Sequence, residues 1–239
     1  MAQEDLYSTK SKKIKGTIFI IDLLKAYDRV NWLYIRPMLT RLGFHIGFFL
    51  WIMSCLTSVS FVALINAEAS PFFHSERELI QGCPLSPLLS LLVAEGVGRY
   101  LKKTNFEGNF RGLPLSQVMA VTHLLFVDDI LIFCDGSFRD INQLCHGLDL
   151  FKRASGMLIS EEKYSITWAN LEDHELRKLE ERFNFRIRYL DEGVKYLGFQ
   201  LNPNDYRKSD WFWLLAKLEK RINIWIHRWL SRAGCLVLC

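Results

Sequence analysis

The sequence predicts an α+β domain built on an antiparallel sheet, and three observations lead to that fold class. Residues 17–21 and 121–134 are rich in β-branched, aromatic and leucine side chains, which is the composition of buried strands. Turn-forming residues divide the strand segments into hairpins, and hairpins pair neighbouring strands antiparallel. Helical segments alternate with these hairpins, and half of the 239 residues are hydrophobic, which is enough for a sizeable core.

Glycine, proline and serine mark the ends of the predicted elements. Gly43 stops one helix, Ser86 followed by Pro87 begins another, and Gly156 ends a third. Neither the G-x-G-x-x-G nor the P-loop pattern occurs, so the sequence does not support a Rossmann or Walker nucleotide site. The predicted elements are, in chain order, a strand near 16–22, helices near 31–42 and 46–56, strands at 59–66 and 72–79, a helix from 86 to about 103, a hairpin over 118–134, a helix at 137–155, a strand at 164–168, a helix at 171–182, a short strand at 196–201 and a tail helix over 211–229.

Charge and cysteine content narrow the class of protein. A net charge of +4 permits a polyanionic partner but does not require one. The six cysteines form no C-x-x-C pair and do not interleave with the histidines, which argues against a zinc site or a disulfide framework. The N-terminus lacks the apolar region of a signal peptide, so we expect a protein of the nucleus or cytoplasm, not a secreted one. A basic cluster over residues 10–15 is either a nuclear signal or polyanion contact, or a solvated loop.

A membrane anchor is the alternative raised by residues 46–67, which contain no charged side chain over 22 positions. That length suffices for a transmembrane helix. The segment changes character midway, however, since 48–56 has the composition of a buried helix and 58–66 that of a strand. A helix followed by a strand cannot cross a bilayer as one unit, so we expect no membrane anchor here.

Three carboxylates are candidates for a metal site. Asp22 ends the apolar strand 17–21, and Asp128 and Asp129 are adjacent within the apolar stretch 121–134. Two carboxylates about 4 Å apart repel by roughly 4 kcal/mol at an effective dielectric constant near 20, and a bound cation is the simplest reason for a fold to retain them. Oxygen ligands at the ends of buried strands suit a hard divalent cation with room for substrate phosphates. The alternative is that each acid caps a turn or a helix.

Five motifs in order carry a resemblance to a known family. The motifs are Asp22-x-x-Lys25-Ala-Tyr27-Asp-Arg-Val-x-Trp32, Gln81-Gly-x-Pro-Leu-Ser-Pro87, Phe126-Val-Asp128-Asp129, Gly156 followed by Lys163, and Tyr196-Leu-Gly-Phe199. In this order they resemble the successive motifs of a reverse transcriptase palm, and their sequences are most similar to those of LINE-type (non-LTR) retrotransposons, particularly those of plants. The likeness extends over about residues 4 to 237.

The resemblance implies a fold and a reaction. The palm, an antiparallel sheet with helices packed on one face, would occupy residues 4–201, and the beginning of a helical thumb would occupy 202–239. The reaction would be RNA-directed DNA synthesis, with an RNA template, a DNA primer and deoxynucleoside triphosphates as partners. The fingers, the endonuclease and the rest of the thumb of a parent element are expected to lie outside this chain.

The resemblance also assigns roles at the reacting centre. Asp22 and Asp128 would hold two Mg²⁺ ions, or Mn²⁺ ions, with Asp129 assisting and the carbonyl of Leu23 as a further ligand. Lys163 matches a lysine that protonates the leaving pyrophosphate, although a surface lysine is the alternative.

Substrate contacts are implied at three further places. Tyr27 resembles a steric gate that rejects a ribose 2′-hydroxyl, and its alternative is a core tyrosine. Gln81 and Gly82 would lie against the template base and the incoming nucleotide, where glycine permits a close backbone approach. A primer grip would include Tyr196, Leu197 and Gly198.

The tail helix, with apolar residues at helical spacing, would begin the thumb. Trp225 and Trp229 on it serve either as a base-stacking platform or as core residues.

The chain departs from the family pattern at several positions. Glu78 stands where the family usually has glycine, and Ile80 where it usually has arginine. Cys83, Ser160 and Cys235 replace other usual residues. Two interpretations therefore stay open, an active polymerase domain and a catalytically inactive remnant that at most binds RNA.

Overall fold

The computed structural model describes residues 2–24, 27–75, 77–115, 120–160, 164–183, 186–204 and 206–226. The chain divides into two compact units, Met1–Pro203 and Asn204–Cys239. The first unit contains every described strand, and the described part of the second contains a short 3₁₀ helix and one α-helix.

The described residues form helices and strands with the following bounds. The helices are α1 (Ala2–Ser11), α2 (Trp32–Arg41), α3 (Ile46–Thr57), α4 (Leu85–Phe106), α5 (Phe138–Ser155), α6 (Asp173–Arg182) and α7 (Phe212–Ile226), with 3₁₀ helices at Leu190–Glu192 and Lys208–Trp211. The strands are β1 (Gly16–Leu24), β2 (Ser60–Phe61), β3 (Leu64–Ile65), β4 (Glu68–Ala69), β5 (Phe73–His74), β6 (Leu113–Pro114), β7 (Ala120–Val121), β8 (His123–Phe126), β9 (Asp129–Cys134), β10 (Leu158–Ile159), β11 (Ser165–Ala169), β12 (Arg186–Tyr189), β13 (Val194–Tyr196) and β14 (Phe199–Leu201).

The strand β1 lies at the centre of a six-stranded sheet in the order β12-β11-β1-β9-β8, with β10 beside the C-terminal end of β1. The pairs are antiparallel except β11–β12, which is parallel. The fold class is α+β as predicted, but the sheet is mixed where the sequence predicts an antiparallel one. Helix α6 lies between β11 and β12 in the chain, and a crossover of this kind is what connects parallel neighbours.

Side chains of β1 alternate between two apolar layers, as strand geometry requires. Phe19 and Leu23 point into a core shared with α2, α4 and α5, whereas Ile18 points to the opposite face, where Leu6 of α1 packs. Asp22 has the parity of Ile18 and therefore lies on that opposite face. Helices cover one face as predicted, but α1 covers part of the other.

The ends of α5 follow the local sequence. The hydroxyl of Ser137 accepts a hydrogen bond from the backbone N–H of Asp140, and Gly156 terminates the helix with φ +77°. Both ends are as predicted. The start of α4 is different, because the helix begins at Leu85 and Ser86 lies inside its first turn. The Ser86 hydroxyl donates to the carbonyl of Ile80 at 2.6 Å, so the prediction that Ser86 is the N-cap is wrong.

The predicted hairpin over 59–79 forms as two short ladders, β2 with β5 and β3 with β4. The register changes by one residue between them, since Ser60 pairs with His74 but Leu64 pairs with Ala69. Pro71 lies on the longer side, and proline has no N–H to donate to a ladder. The extra residue on the side of Pro71 therefore separates the two ladders, and the hairpin lacks the two continuous strands that the sequence predicts.

Two further sequence expectations concern the apolar segment and the basic cluster. Among the described residues, no helix has both the length and the apolar composition needed to span a bilayer.

Lysines of the basic cluster contact the first unit itself. Lys10 and Lys15 form ion pairs with Asp191 and Glu175, and Lys12 donates to a backbone carbonyl at 2.8 Å.

Candidate active site

Asp22 and Asp129 are directly opposed across β1 and β9. Asp129 pairs with Phe126 on its other side, and the N–H of Leu23 donates to the carbonyl of Asp128 at 3.0 Å. These bonds make Asp22 and Asp129 a non-hydrogen-bonded pair, in which opposed Cα atoms are about 4.5 Å apart and side chains are closest. The two carboxylates therefore project from the same face of the sheet.

The turn between β8 and β9 fixes this register. Two residues, Val127 and Asp128, connect strands that pair Phe126 with Asp129. Val127 has φ +56°, a conformation that β-branched residues rarely adopt. Strain of this kind is typically about 1–3 kcal/mol and concentrates at functional sites. A strained turn thus lies immediately beside the acid pair.

The negative charge of the acid pair affects the pKa of a tyrosine in the β13–β14 hairpin. Asp22 is buried, whereas Asp128 and Asp129 are half-buried. Burial raises the pKa of Tyr196 on β13, and the negative charge of Asp129 raises it further. The carboxylate of Asp129 therefore acts electrostatically on the hairpin that the sequence assigns to the primer grip.

A cavity of about 590 Å³ lies between the acid pair and the β13–β14 hairpin. It brings together residues from two motifs that are far apart in sequence, namely the acid pair and the Leu197–Gly198 turn. Its lining consists of Ile20, Asp22, Asp129, Tyr164, Ser165, Thr167, Arg188, Gly193, Val194, Lys195, Leu197 and Gly198.

The carboxylate oxygens of the acid pair are suitable ligands for a divalent cation. Mg²⁺ is commonly bound by one or two carboxylates together with substrate phosphates, and Asp22 opposite Asp129 offers such donors. The carbonyl of Leu23 lies on the same edge of β1 as its N–H, which faces the turn at Asp128. The part of the chain that the structure describes contains no group of three His, Cys, Asp or Glu side chains arranged to hold a metal ion. A site formed by all three carboxylates stays a prediction.

The motifs of Tyr27 and Gln81 contact each other. The N–H of Leu79 donates to the carbonyl of Tyr27 at 2.6 Å, and the side-chain amide of Gln81 donates to Asp28 at 2.8 Å. Gly82 has φ +84° and open space where a Cβ would stand, so the backbone there can be approached closely. This geometry is compatible with a substrate contact at Gln81 and Gly82, which stays a prediction.

Tyr27 is half-buried and packs against the core that β1 shares with α2, α4 and α5. That environment matches the core alternative, and the role of steric gate stays a prediction. Lys163 lies outside the described residues, as does Trp229, and the side chain of Trp225 is not described either.

Arg188 and Lys195 line the cavity, and the sequence reasoning did not single out either residue. The signal for Arg188 was the alternation of cationic and large side chains in the sequence Arg186-Ile-Arg-Tyr189, which has the period of two that is typical of a strand. Arg188 pairs with Thr167 of β11, and both line the cavity on the face that carries Asp22.

Both the sequence and the fold of this chain are similar to those of known proteins. The sequence model of the family described as reverse transcriptase (RNA-dependent DNA polymerase) matches residues 2–201. Among solved structures, the chain is similar to apo telomerase from Candida tropicalis truncated from its C-terminal domain, with a TM-score of 0.51 and 14% sequence identity. The alignment covers 72% of this chain and 34% of the telomerase chain, so this chain spans about a third of that protein. At this identity the likeness shows the fold alone.

Proposed function

The chain belongs to the reverse transcriptase (RNA-dependent DNA polymerase) family, and on that premise we propose that it is the palm of a non-LTR retroelement polymerase. It adds deoxynucleotides to the 3′-hydroxyl of a DNA primer on an RNA template. The observation that supports the proposal most directly is the opposition of Asp22 and Asp129 beside the β13–β14 turn. The motif wording supports the non-LTR class, with the palm at 4–201 and the beginning of the thumb at 202–239.

Divalent metal ions serve the family in general, and in this chain Asp22, Asp128 and Asp129 are the residues proposed to hold them. When bound, two Mg²⁺ or Mn²⁺ ions would activate the primer hydroxyl and neutralise the triphosphate and the leaving pyrophosphate. The opposed carboxylates concentrate negative charge at one point of a rigid sheet. Burial restricts the side chain of Asp22, which favours a fixed orientation of its carboxylate.

Each substrate has a proposed contact around the acid pair. The template base and incoming nucleotide meet Gln81 and Gly82, and the sugar meets Tyr27. The primer end meets the 196–198 segment, whose turn lines the cavity that contains the acid pair. The primer oxygen then bonds to the α-phosphorus as the bond to pyrophosphate breaks. Lys163 is the proposed proton donor to that leaving group.

A primer-extension assay tests this function. The full chain is incubated with a labelled DNA primer on an RNA template, deoxynucleotides and either Mg²⁺ or Mn²⁺. We expect extension by the wild-type chain and a loss of at least about 100-fold in Asp22→Asn and Asp129→Asn, because each removes a charged donor at the reacting centre. The matched control is Asp149→Asn, an exposed aspartate on α5 paired only with Arg153 four residues on among the contacts described.

A catalytically inactive remnant that binds RNA is the second candidate, and Glu78 favours it. Glu78 has φ +94° at a position where the family usually has glycine. A non-glycine residue in that region strains the loop that leads to Gln81. Absence of extension with either metal, combined with salt-dependent RNA binding, would support the remnant and contradict the polymerase.

A further inference from the structure

Arg188 lines the cavity, and one donor of its guanidinium is buried in the cavity wall. Its Nε is shielded from solvent and has no hydrogen-bond acceptor among the residues that the structure describes. A buried N–H without an acceptor costs about 1–3 kcal/mol, and more when the group is charged. The guanidinium in the cavity wall therefore costs stability, and a bound anion would offset that cost through its charge.

The neighbours of Arg188 are polar and lie on the same wall. Thr167 is its register partner on β11, and Ser165 lies two residues earlier with the same parity. Lys195 of β13 lines the same cavity and is exposed. Two hydroxyl-bearing and two cationic residues thus line the same cavity. A guanidinium presents several N–H donors in a fixed plane, which matches the oxygens of a phosphate group.

The distance from Arg188 to the acid pair follows from the sheet register. Thr167 pairs with both Arg188 and Ile18, so Arg188 lies two strands from β1, or about 10 Å across the sheet. Asp22 lies four residues beyond Ile18, or about 13 Å along the strand. The Cα atoms of Arg188 and Asp22 are therefore about 16 Å apart. At that separation an anion held by Arg188 does not contact the carboxylates of the acid pair.

We propose that Arg188, with Thr167, Ser165 and Lys195, forms a second binding site that takes a phosphate group, separate from the acid pair. The cavity of about 590 Å³ has room for a phosphate and the nucleoside attached to it. Two kinds of ligand carry such a phosphate group. One is the phosphodiester backbone of a nucleic acid, and the other is free phosphate or pyrophosphate. The nucleic-acid source rests on the proposed function, whereas phosphate binding itself does not.

Binding is tested on the full chain in EDTA, so that neither metal nor catalysis enters the measurement. Inorganic phosphate and pyrophosphate are titrated by calorimetry, and a labelled single-stranded oligonucleotide is titrated by fluorescence anisotropy at several salt concentrations. The variants are Arg188→Gln and Arg188→Lys, and the matched control is Arg177→Gln on the exposed surface of α6. Circular dichroism establishes that each variant is folded, and Arg188→Lys keeps the charge if Arg188→Gln does not fold.

We expect phosphate or pyrophosphate binding to weaken at least tenfold in Arg188→Gln, to be intermediate in Arg188→Lys and to be unchanged in Arg177→Gln. If the ligand is a nucleic acid, the binding constant of the oligonucleotide falls with salt. The slope of its logarithm against the logarithm of the salt concentration should then be smaller in magnitude by about one in Arg188→Gln. An unchanged slope with lost phosphate binding identifies the free anion as the ligand. Equal binding by Arg188→Gln and Arg177→Gln, or no binding of any probe by the wild-type chain, overturns the proposal. Phosphate binding by a chain that extends no primer separates this site from a failure of the proposed function.

Discussion

A Cβ at Gly156 would lie 2.6 Å from the carbonyl oxygen of Arg29. Next to this contact, the N–H of Asn31 donates to the carbonyl of Ser155 at 2.8 Å. The end of α5 is therefore seated directly on the loop that follows Asp22. Asp22 and Gly156 belong to two different motifs of the sequence. Because a side chain at position 156 would collide with the backbone at Arg29, the glycine allows these two motifs to meet.

Gly156→Ala should destabilise the chain by about 2 kcal/mol or more, because the methyl group meets backbone as well as an unfavourable φ. The free energy of unfolding is measured by urea denaturation. Gly43→Ala is the matched control, since Gly43 also has a positive φ, +86°, but has no atom within 4 Å of its Cβ position. We expect about 1 kcal/mol of destabilisation there. Equal values for the two variants would contradict a steric role for Gly156.

Glu78→Gly should stabilise the chain. Glu78 has φ +94°, and its backbone is held in place by a bond from its N–H to the Val30 carbonyl at 3.1 Å and by Trp32, which donates to its carbonyl at 2.7 Å. Glycine adopts this conformation without strain, and relief of about 1 kcal/mol is expected, offset in part by the entropy of the unfolded chain.

The control for Glu78→Gly is Glu180→Gly on the exposed face of α6, which should lower the free energy of unfolding by about 1 kcal/mol. Urea denaturation of both variants gives changes of opposite sign if the strain at Glu78 is real. Destabilisation of similar size in both variants would show that the Glu78 side chain makes a net favourable contribution.

Local signals explain which parts of the fold could be predicted. The ends of α5 depend on Ser137 and Gly156 alone, and both act within a few residues of the helix. The register of Asp22 opposite Asp129 agrees with the meeting of carboxylates that the sequence predicts, whereas the participation of Asp128 stays a prediction.

Long-range pairing explains what could not be predicted. The strand β12 has four residues, two of them arginine, and it becomes a strand because β11 offers it a parallel edge. Arg188 belongs to the cavity only through that pairing. The bulge at Pro71 likewise depends on the register of two facing strands, which a single apolar run does not reveal.

Stability should depend on the protonation of His123. Burial lowers the pKa of His123 and the nearby charge of Lys102 lowers it further, while Glu95 raises it. The ring lies against α4, with Nε2 2.5 Å from where a Cβ at Gly98 would stand, and Nδ1 lies 2.9 Å from the Thr122 hydroxyl. The unfolded state therefore binds a proton more readily than the folded state, so stability falls as pH decreases below the ordinary histidine value of about 6.5.

His123→Gln should reduce this loss of stability, and His146→Gln, an exposed histidine on α5, should not. Urea denaturation between pH 8 and pH 5 measures the slope, whose share from one histidine cannot exceed about 1.4 kcal/mol per pH unit. Because other groups titrate in this range, the comparison is between each variant and the wild-type chain. Identical slopes in the wild-type chain and His123→Gln would contradict a lowered pKa of His123 in the folded state.

Binding of a divalent cation at the acid pair should raise thermal stability without any substrate. Opposed carboxylates repel each other, and a bound cation turns that repulsion into attraction. A ligand at one hundred times its dissociation constant adds about 2.7 kcal/mol to the free energy of unfolding, and each 1 kcal/mol raises Tm by about 2–4 °C in a chain of this size. We expect Mg²⁺ and Mn²⁺ to raise Tm in the wild-type chain and in Asp149→Asn, but not in the double variant Asp22→Asn, Asp129→Asn. An equal increase in the double variant would place the cation elsewhere, and the acid pair would then lose its role as the metal site whatever the result of primer extension.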